Sequence, residues 1–132
     1  VWNADSGKSV RSLRIHTLPI HDLAERPVQP GLPMVASASQ DKTVRFWQPT
    51  IGRMVRFIRL RSVPQKIAWL PGGRRVAAAC QDGSLRLIDP DTVTVSATYP
   101  AIKGWAYALA IAPDGESAVV GGADGDVQVV EF

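Results

Sequence analysis

Cysteine is nearly missing from this 132-residue chain, where Cys80 stands alone. A single cysteine excludes an internal disulfide and any cysteine-rich zinc site. Cys80 falls in an apolar strand pattern and reads as a small buried hydrophobe, which leaves the redox compartment open. No run approaches the roughly 18 apolar residues of a membrane helix. No phosphate loop is present either, because Gly72-Gly73 and Gly121-Gly122 are turn or strand glycines without a lysine at the required spacing. The chain begins Val1-Trp2-Asn3, with neither a methionine nor a charged and apolar leader, an absence without meaning in a segment of a longer chain. Acid is scarce in the middle of the sequence. From Lys42 to Arg86 ten basic residues face only Asp82, whereas from Leu87 to Phe132 seven acidic residues face only Lys103.

What is present fits one domain. Apolar residues make up 45% and charged residues 20%, ordinary values for a globular chain. The stretch Met34 to Gln48 organises the rest. Small residues alternate through Val35-Ala36-Ser37-Ala38-Ser39, Gln40-Asp41-Lys42 supplies a turn, and Thr43-Val44-Arg45-Phe46-Trp47 is rich in β-branched and aromatic residues. That pattern predicts two strands joined by a tight turn. Val1-Trp2 reads as the end of an earlier strand, and Ser9 to Ile15 as another. Residues 26–33, Arg26-Pro27-Val28-Gln29-Pro30-Gly31-Leu32-Pro33, are expected to be irregular, because three prolines and a glycine forbid ladder pairing.

The pattern recurs. Strands are expected at Arg53 to Leu60, Gln65 to Leu70, Arg75 to Cys80, Ser84 to Asp89 and Thr92 to Thr98. Further strands are expected at Ala106 to Ile111, Ser117 to Gly121 and Val127 to Phe132. Asp82-Gly83 and Asp124-Gly125 between apolar runs predict type I′ hairpin turns. Asp41, Asp82 and Asp124 are 41 and 42 residues apart. With those aspartates aligned, Trp47, Ile88 and Val130 coincide, and so do Gln48, Asp89 and Glu131. A period of roughly 40–45 residues with four strands per unit is the signature of propeller blades.

On these residues the chain resembles the WD40 repeat family over nearly its whole length. His16-Thr17-Leu18-Pro19-Ile20 is similar to the family's loop histidine and entry to strand a. Ser37-Ala38-Ser39-Gln40-Asp41 is similar to strand b and the b–c turn, and Thr43 to Gln48 to strand c. Gln48 replaces the usual aspartate, and Ile15 the glycine before the histidine. The resemblance implies an all-β propeller segment of about three four-stranded antiparallel blades, part of a larger ring. It implies a blade end at residues 1–15, blades at 16–60 and 61–98, and a blade at 99–132 lacking its last strand. It also implies a buried hydrogen-bonded chain of His16, Ser37 (or Ser39), Asp41 and Trp47. The later repeats keep Asp82 and Asp124 but lose the rest, with Leu60, Ala78 and Ile88 in the second and Ile102, Val120 and Val130 in the third. Those blades are expected to lean on packing. An open arc leaves an apolar face of roughly 400 Å² at each end, as large as the biggest patch on a typical monomer, so further blades are expected upstream. Phe132, on strand c, fits a natural C-terminus in a family whose last blade is often completed from the N-terminus.

Catalytic and metal chemistry are not expected. His16, His21, Asp22 and Glu25 read as a structural histidine and a polar strand face, since a metal needs three or four convergent ligands. Ser37, His16 and Asp41 suggest a triad, but a buried serine has no access to substrate. No cofactor is expected. The family resemblance implies a non-catalytic scaffold for protein or peptide partners. Binding of nucleic acid or another acidic partner through residues 42–86 is a second reading, and a sensory or accessory propeller on an upstream enzyme or redox domain a third. Strand order places Lys42 and Arg61 on the face of the b–c turns and d–a loops, and Arg53, Arg74 and Arg75 on the other. Lys42, Arg61, Lys103 and Trp105 are the candidate partner-binding residues, because arginine and tryptophan are enriched at binding hot spots. Burial under its loop is the alternative for Trp105.

Overall fold

A computed structural model describes residues 1–27 and 29–132. The described residues contain no helix; they form eleven strands in three antiparallel sheets. The first sheet contains β1 (Ile20–Glu25), β2 (Val35–Ser39), β3 (Thr43–Gln48) and β4 (Arg53–Arg59) in sequence order. The second contains β5 (Pro64–Trp69), β6 (Val76–Cys80), β7 (Ser84–Asp89) and β8 (Thr94–Pro100). The third has three strands, β9 (Ala106–Ile111), β10 (Ser117–Gly122) and β11 (Val127–Glu131). These are WD40-type blades in an open arc.

Two apolar clusters hold the blades together. Between the first and second, Ala36, Ala38, Val44, Phe46 and Ile58 pack on Ile67, Trp69, Val76, Ala78, Cys80 and Ile88. Phe46 meets Trp69 edge-on at 5.9 Å. Between the second and third, Ala77, Ala79, Leu85 and Leu87 pack on Ala106, Ala118, Val120 and Val130. Alternate residues of the second blade thus feed opposite clusters, as the two-residue period of a strand requires. The strands numbered β2 and β6 are central in their sheets and sandwiched between neighbours, so alanine and serine are the side chains that fit. The outer faces stay open, with Leu23 63%, Val127 66% and Val129 64% exposed.

The first junction is also polar. The Asp22 carboxylate accepts from Lys66 Nζ and Ile67 N, both at 2.9 Å. Trp69 Nε1 donates to Ala24 O at 3.0 Å, and the Arg26 guanidinium lies 5.3 Å over the Trp69 ring. In the proline-rich connection Val28 lies outside the described residues, but its neighbours reach the second blade. Arg26 Nε donates to Gly73 O at 2.6 Å and Gln29 Nε2 to Gly72 O at 3.2 Å.

Three expectations are corrected. Ser9 to Ile15 is not a strand; Ser9 makes an isolated bridge with Trp2. Alternating apolar residues make a strand only where a sheet edge accepts them, and Val10 and Ile15 stay 53% and 45% exposed. The strand expected from Thr92 starts at Thr94 and runs to Pro100. The Asp89 carboxylate captures Asp91 N and Thr92 N at 2.7 and 3.1 Å, and Val93 takes φ +57°. The b–c turns are not type I′, which needs positive φ at both central residues. Asp82 and Asp124 have ordinary φ, and only the following Gly83 and Gly125 are left-handed. Gly83 N bonds Cys80 O at 3.0 Å and Gly125 N bonds Gly122 O at 3.3 Å. This is the three-residue loop of a type I turn followed by a left-handed residue. The first blade uses Lys42, at φ +63°, where the others use glycine.

Candidate interaction face and the buried polar chain

The first sheet turns Ser37, Thr43 and Trp47 toward the side away from the second blade, and residues before β1 lay His16 across them. Trp47 Nε1 donates to Ser37 Oγ at 2.8 Å. Ser37 Oγ lies 2.7 Å from His16 Nε2, and His16 Nδ1 lies 2.8 Å from Asp41 Oδ2. One proton arrangement satisfies all four groups. The indole can only donate, so Ser37 accepts from it; with Nε2 unprotonated the hydroxyl donates to that nitrogen, and the proton on Nδ1 goes to the carboxylate. Asp41 also accepts from Thr17 N at 3.2 Å, Thr43 N at 3.0 Å and Thr43 Oγ1 at 2.5 Å. Burial alone would raise its carboxyl pKa. The hydrogen bonds from Thr43, His16 and Thr17 outweigh that and hold it well below the usual carboxylate range. Ser39, the alternate for Ser37, is used elsewhere: its hydroxyl meets Leu18 O and Pro19 O at 3.0 and 2.9 Å.

The second blade holds its aspartate differently. Arg86 Nη1 and Nη2 grip Asp82 Oδ1 and Oδ2 at 3.1 and 2.6 Å, and Ser84 Oγ donates to Oδ1 at 2.6 Å. Burial again works against ionisation, but Arg86 and Ser84 prevail and lower the Asp82 pKa to about 2. The expectation that this blade leans on packing alone is therefore corrected, because a bidentate ion pair replaces the histidine. The signal was present in the sequence. Thr43 and Ser84 both lie two residues after the turn aspartate, and Arg45 and Arg86 both lie four after it. In the first blade His16 occupies the carboxylate, so Arg45 stays 3.8 Å away and donates to Thr43 Oγ1 instead. In the third, Asp126 and Gln128 stand at those positions, and Asp124 accepts no hydrogen bond among the described residues.

The imagined metal set does not converge. His16 is committed to Asp41 and Ser37, His21 to Gln40 at 2.7 Å, and Asp22 to Lys66. Ser37, in the triad-like grouping, is 1% exposed. The candidate partner residues are all at the surface. Leu60 N donates to Lys42 O at 2.8 Å, which sets Arg61 beside the first b–c turn. Ala101 N and Ile102 N donate to Gly83 O at 3.1 and 3.0 Å, which sets Lys103 beside the second. Trp105 is 47% exposed, with its ring 5.8 Å from that of Tyr107, so it is not buried under its loop.

Two segments, residues 7–48 and 63–89, match the family model described as WD domain, G-beta repeat. The chain is 37% identical over 82 residues to ribosome biogenesis protein bop1-A of Xenopus laevis, covering 59% of this chain and 11% of that protein. It is 36% identical over 76 residues to coronin-7 of Bos taurus, covering 57% of this chain and 8% of that one. With a periodic tryptophan protein 2 homolog of Dictyostelium discoideum it shares 30% identity over 93 residues, covering 70% and 10%. The chain thus spans about a tenth of the length of these relatives. With the repeat period, the blade order and more than half of its residues in agreement, the chain belongs to the WD40 family, the WD domain, G-beta repeat proteins.

Proposed function

We propose that this chain is part of a non-catalytic scaffold that binds a protein or peptide on its b–c/d–a face. One observation carries the reading. The polar groups that the repeat places together are turned inward and saturated, as Ser37 and His16 illustrate. The chemistry left to solvent on that face belongs to side chains the repeat does not need, Lys42, Arg61, Lys103 and Trp105. The nucleic-acid reading is weaker, because much of the basic segment is engaged internally. Arg86 pairs with Asp82, Lys66 with Asp22 and Arg56 with Asp91.

Site-specific photo-crosslinking from positions 61 and 105 of the full-length protein, with positions 53 and 75 as probes of the opposite face, in an extract of its source cells, tests this. Discrete protein adducts are expected. Recovery of the adduct from position 105 should fall in Arg61→Glu, and should fall more at low salt, since the Debye length shrinks from about 10 Å at 0.1 M to about 3 Å at 1 M. Adducts confined to positions 53 and 75, or to nucleic acid, would overturn the reading.

A further inference from the structure

We propose that the groove between the outer strands of the first two blades binds an anionic group, carboxylate or phosphate, on an acidic peptide, with Arg59 and Arg61 as its ligands. The inference rests on the scaffold reading and gives it a substrate class and a subsite that shares Arg61 with the b–c/d–a face. Arg59, Leu60, Arg61, Arg86, Val95 and Thr98 enclose a cavity of about 420 Å³. Arg59 Nη1 donates to the Asp41 carbonyl at 3.2 Å, which holds the guanidinium at one wall. Asp82 neutralises Arg86. Neither Arg59 nor Arg61 has a carboxylate partner among the described residues. Two uncompensated guanidinium groups therefore line one concave space beside the Thr98 hydroxyl and the exposed Val95 side chain. Such forks match the geometry of carboxylates and phosphates.

The fold itself does not require these arginines. One repeat further on, the groove between the second and third blades has about the same size, about 450 Å³, and is lined by Pro100, Ala101, Ile102, Lys103, Asp126 and Gln128. Shifted by the repeat, Arg59 becomes Pro100, Arg61 becomes Ile102 and Arg86 becomes Gln128. There one lysine and one aspartate share the lining. Equivalent architecture thus stands without the cations, so packing does not account for them. A peptide fits better than a nucleic acid because Val95 offers aliphatic contact and the lining has no aromatic face on which a base would stack.

The test uses the full chain and three fluorescein-labelled ten-residue peptides, glycine alternating with phosphoserine, glutamate or serine. In fluorescence anisotropy at 0.1 M salt the first two should bind and the third should not, and their ratio separates phosphate from carboxylate recognition. The double variant Arg59→Gln/Arg61→Gln should weaken binding at least tenfold, with an unchanged melting temperature. The charge-matched control Arg53→Gln/Arg74→Gln should stay within twofold. Equal loss in both double variants would reduce the effect to net charge and overturn the groove. So would no peptide binding at 1 mM, or a labelled oligouridylate that binds more tightly with the same dependence on Arg59 and Arg61. If the groove fails while crosslinks from position 105 persist, the groove proposal falls and the scaffold reading stands.

Discussion

The first and second blades place an aspartate at the same turn and surround it with different chemistry. Asp41 is 5% exposed and meets an imidazole, His16, delivered from 25 residues away. Asp82 is 42% exposed and meets a cation, Arg86, from its own hairpin four residues away. The distant partner goes with deep burial, because His16, Thr17 and Thr43 together saturate the carboxylate with hydrogen bonds and Arg45 stands 3.8 Å away. The local partner needs no long connection and leaves one side of the carboxylate hydrated. The third blade has neither arrangement, and its Asp124 sits in an exposed turn. The turn aspartate is thus compatible with three environments, and its contribution should follow burial and partner rather than mere presence.

The largest break in this comparison is expected from His16→Ala. It strands Asp41 and Ser37, each at about 1–3 kcal/mol for a lost buried partner. A total loss of about 2–4 kcal/mol is expected in urea unfolding, with amide exchange rising first in β1 to β3. A variant that unfolds like the parent would show the chain idle.

Arg86→Gln should cost less, about 1 kcal/mol, because Asp82 can turn to water. It also sharpens the comparison through pH. The folded state favours ionised Asp82, so the stability it supplies is complete above the ordinary carboxylate value of 3.8 and is lost as pH falls toward about 2. Acid unfolding followed by circular dichroism should therefore be shallower between pH 4 and about 2 in Arg86→Gln than in the parent. An unchanged acid limb would mean that the pair is not formed in solution.

The smallest effect is expected from Asp124→Ala. An exposed side chain without a partner among the described residues should change stability by no more than about 0.5 kcal/mol, read by thermal melting. A loss as large as that of His16→Ala would reveal a partner that the first two blades do not predict.

The legible part of the site was the part that repeats. Asp41, Asp82 and Asp124 punctuate the chain at a fixed period, and the apolar runs between them locate most strands to within two residues. The Trp47–Ser37–His16–Asp41 grouping came from likeness to a family, since nothing in composition pairs residues 16 and 41. The Arg86–Asp82 pair had its own local signal, the four-residue spacing shared with Arg45, which carries no weight until the hairpin geometry is known. Ser9 to Ile15 misled because alternation reports a strand's preference for two faces and says nothing about whether an edge is free.

Sequence alone determined the all-β class, the period, the hairpin order and the small side chains of the central strands, because each depends on neighbours within one repeat. Tertiary structure decided which carboxylate meets a histidine and which an arginine, how residues 26 and 29 strap the first blade to the second, and where Arg59 and Arg61 come to face Arg86 and Thr98. Those outcomes depend on packing one blade against the next. A linear charge pattern cannot reveal them, because ten basic residues between Lys42 and Arg86 are divided by the sheets among opposite faces, ion pairs and one groove.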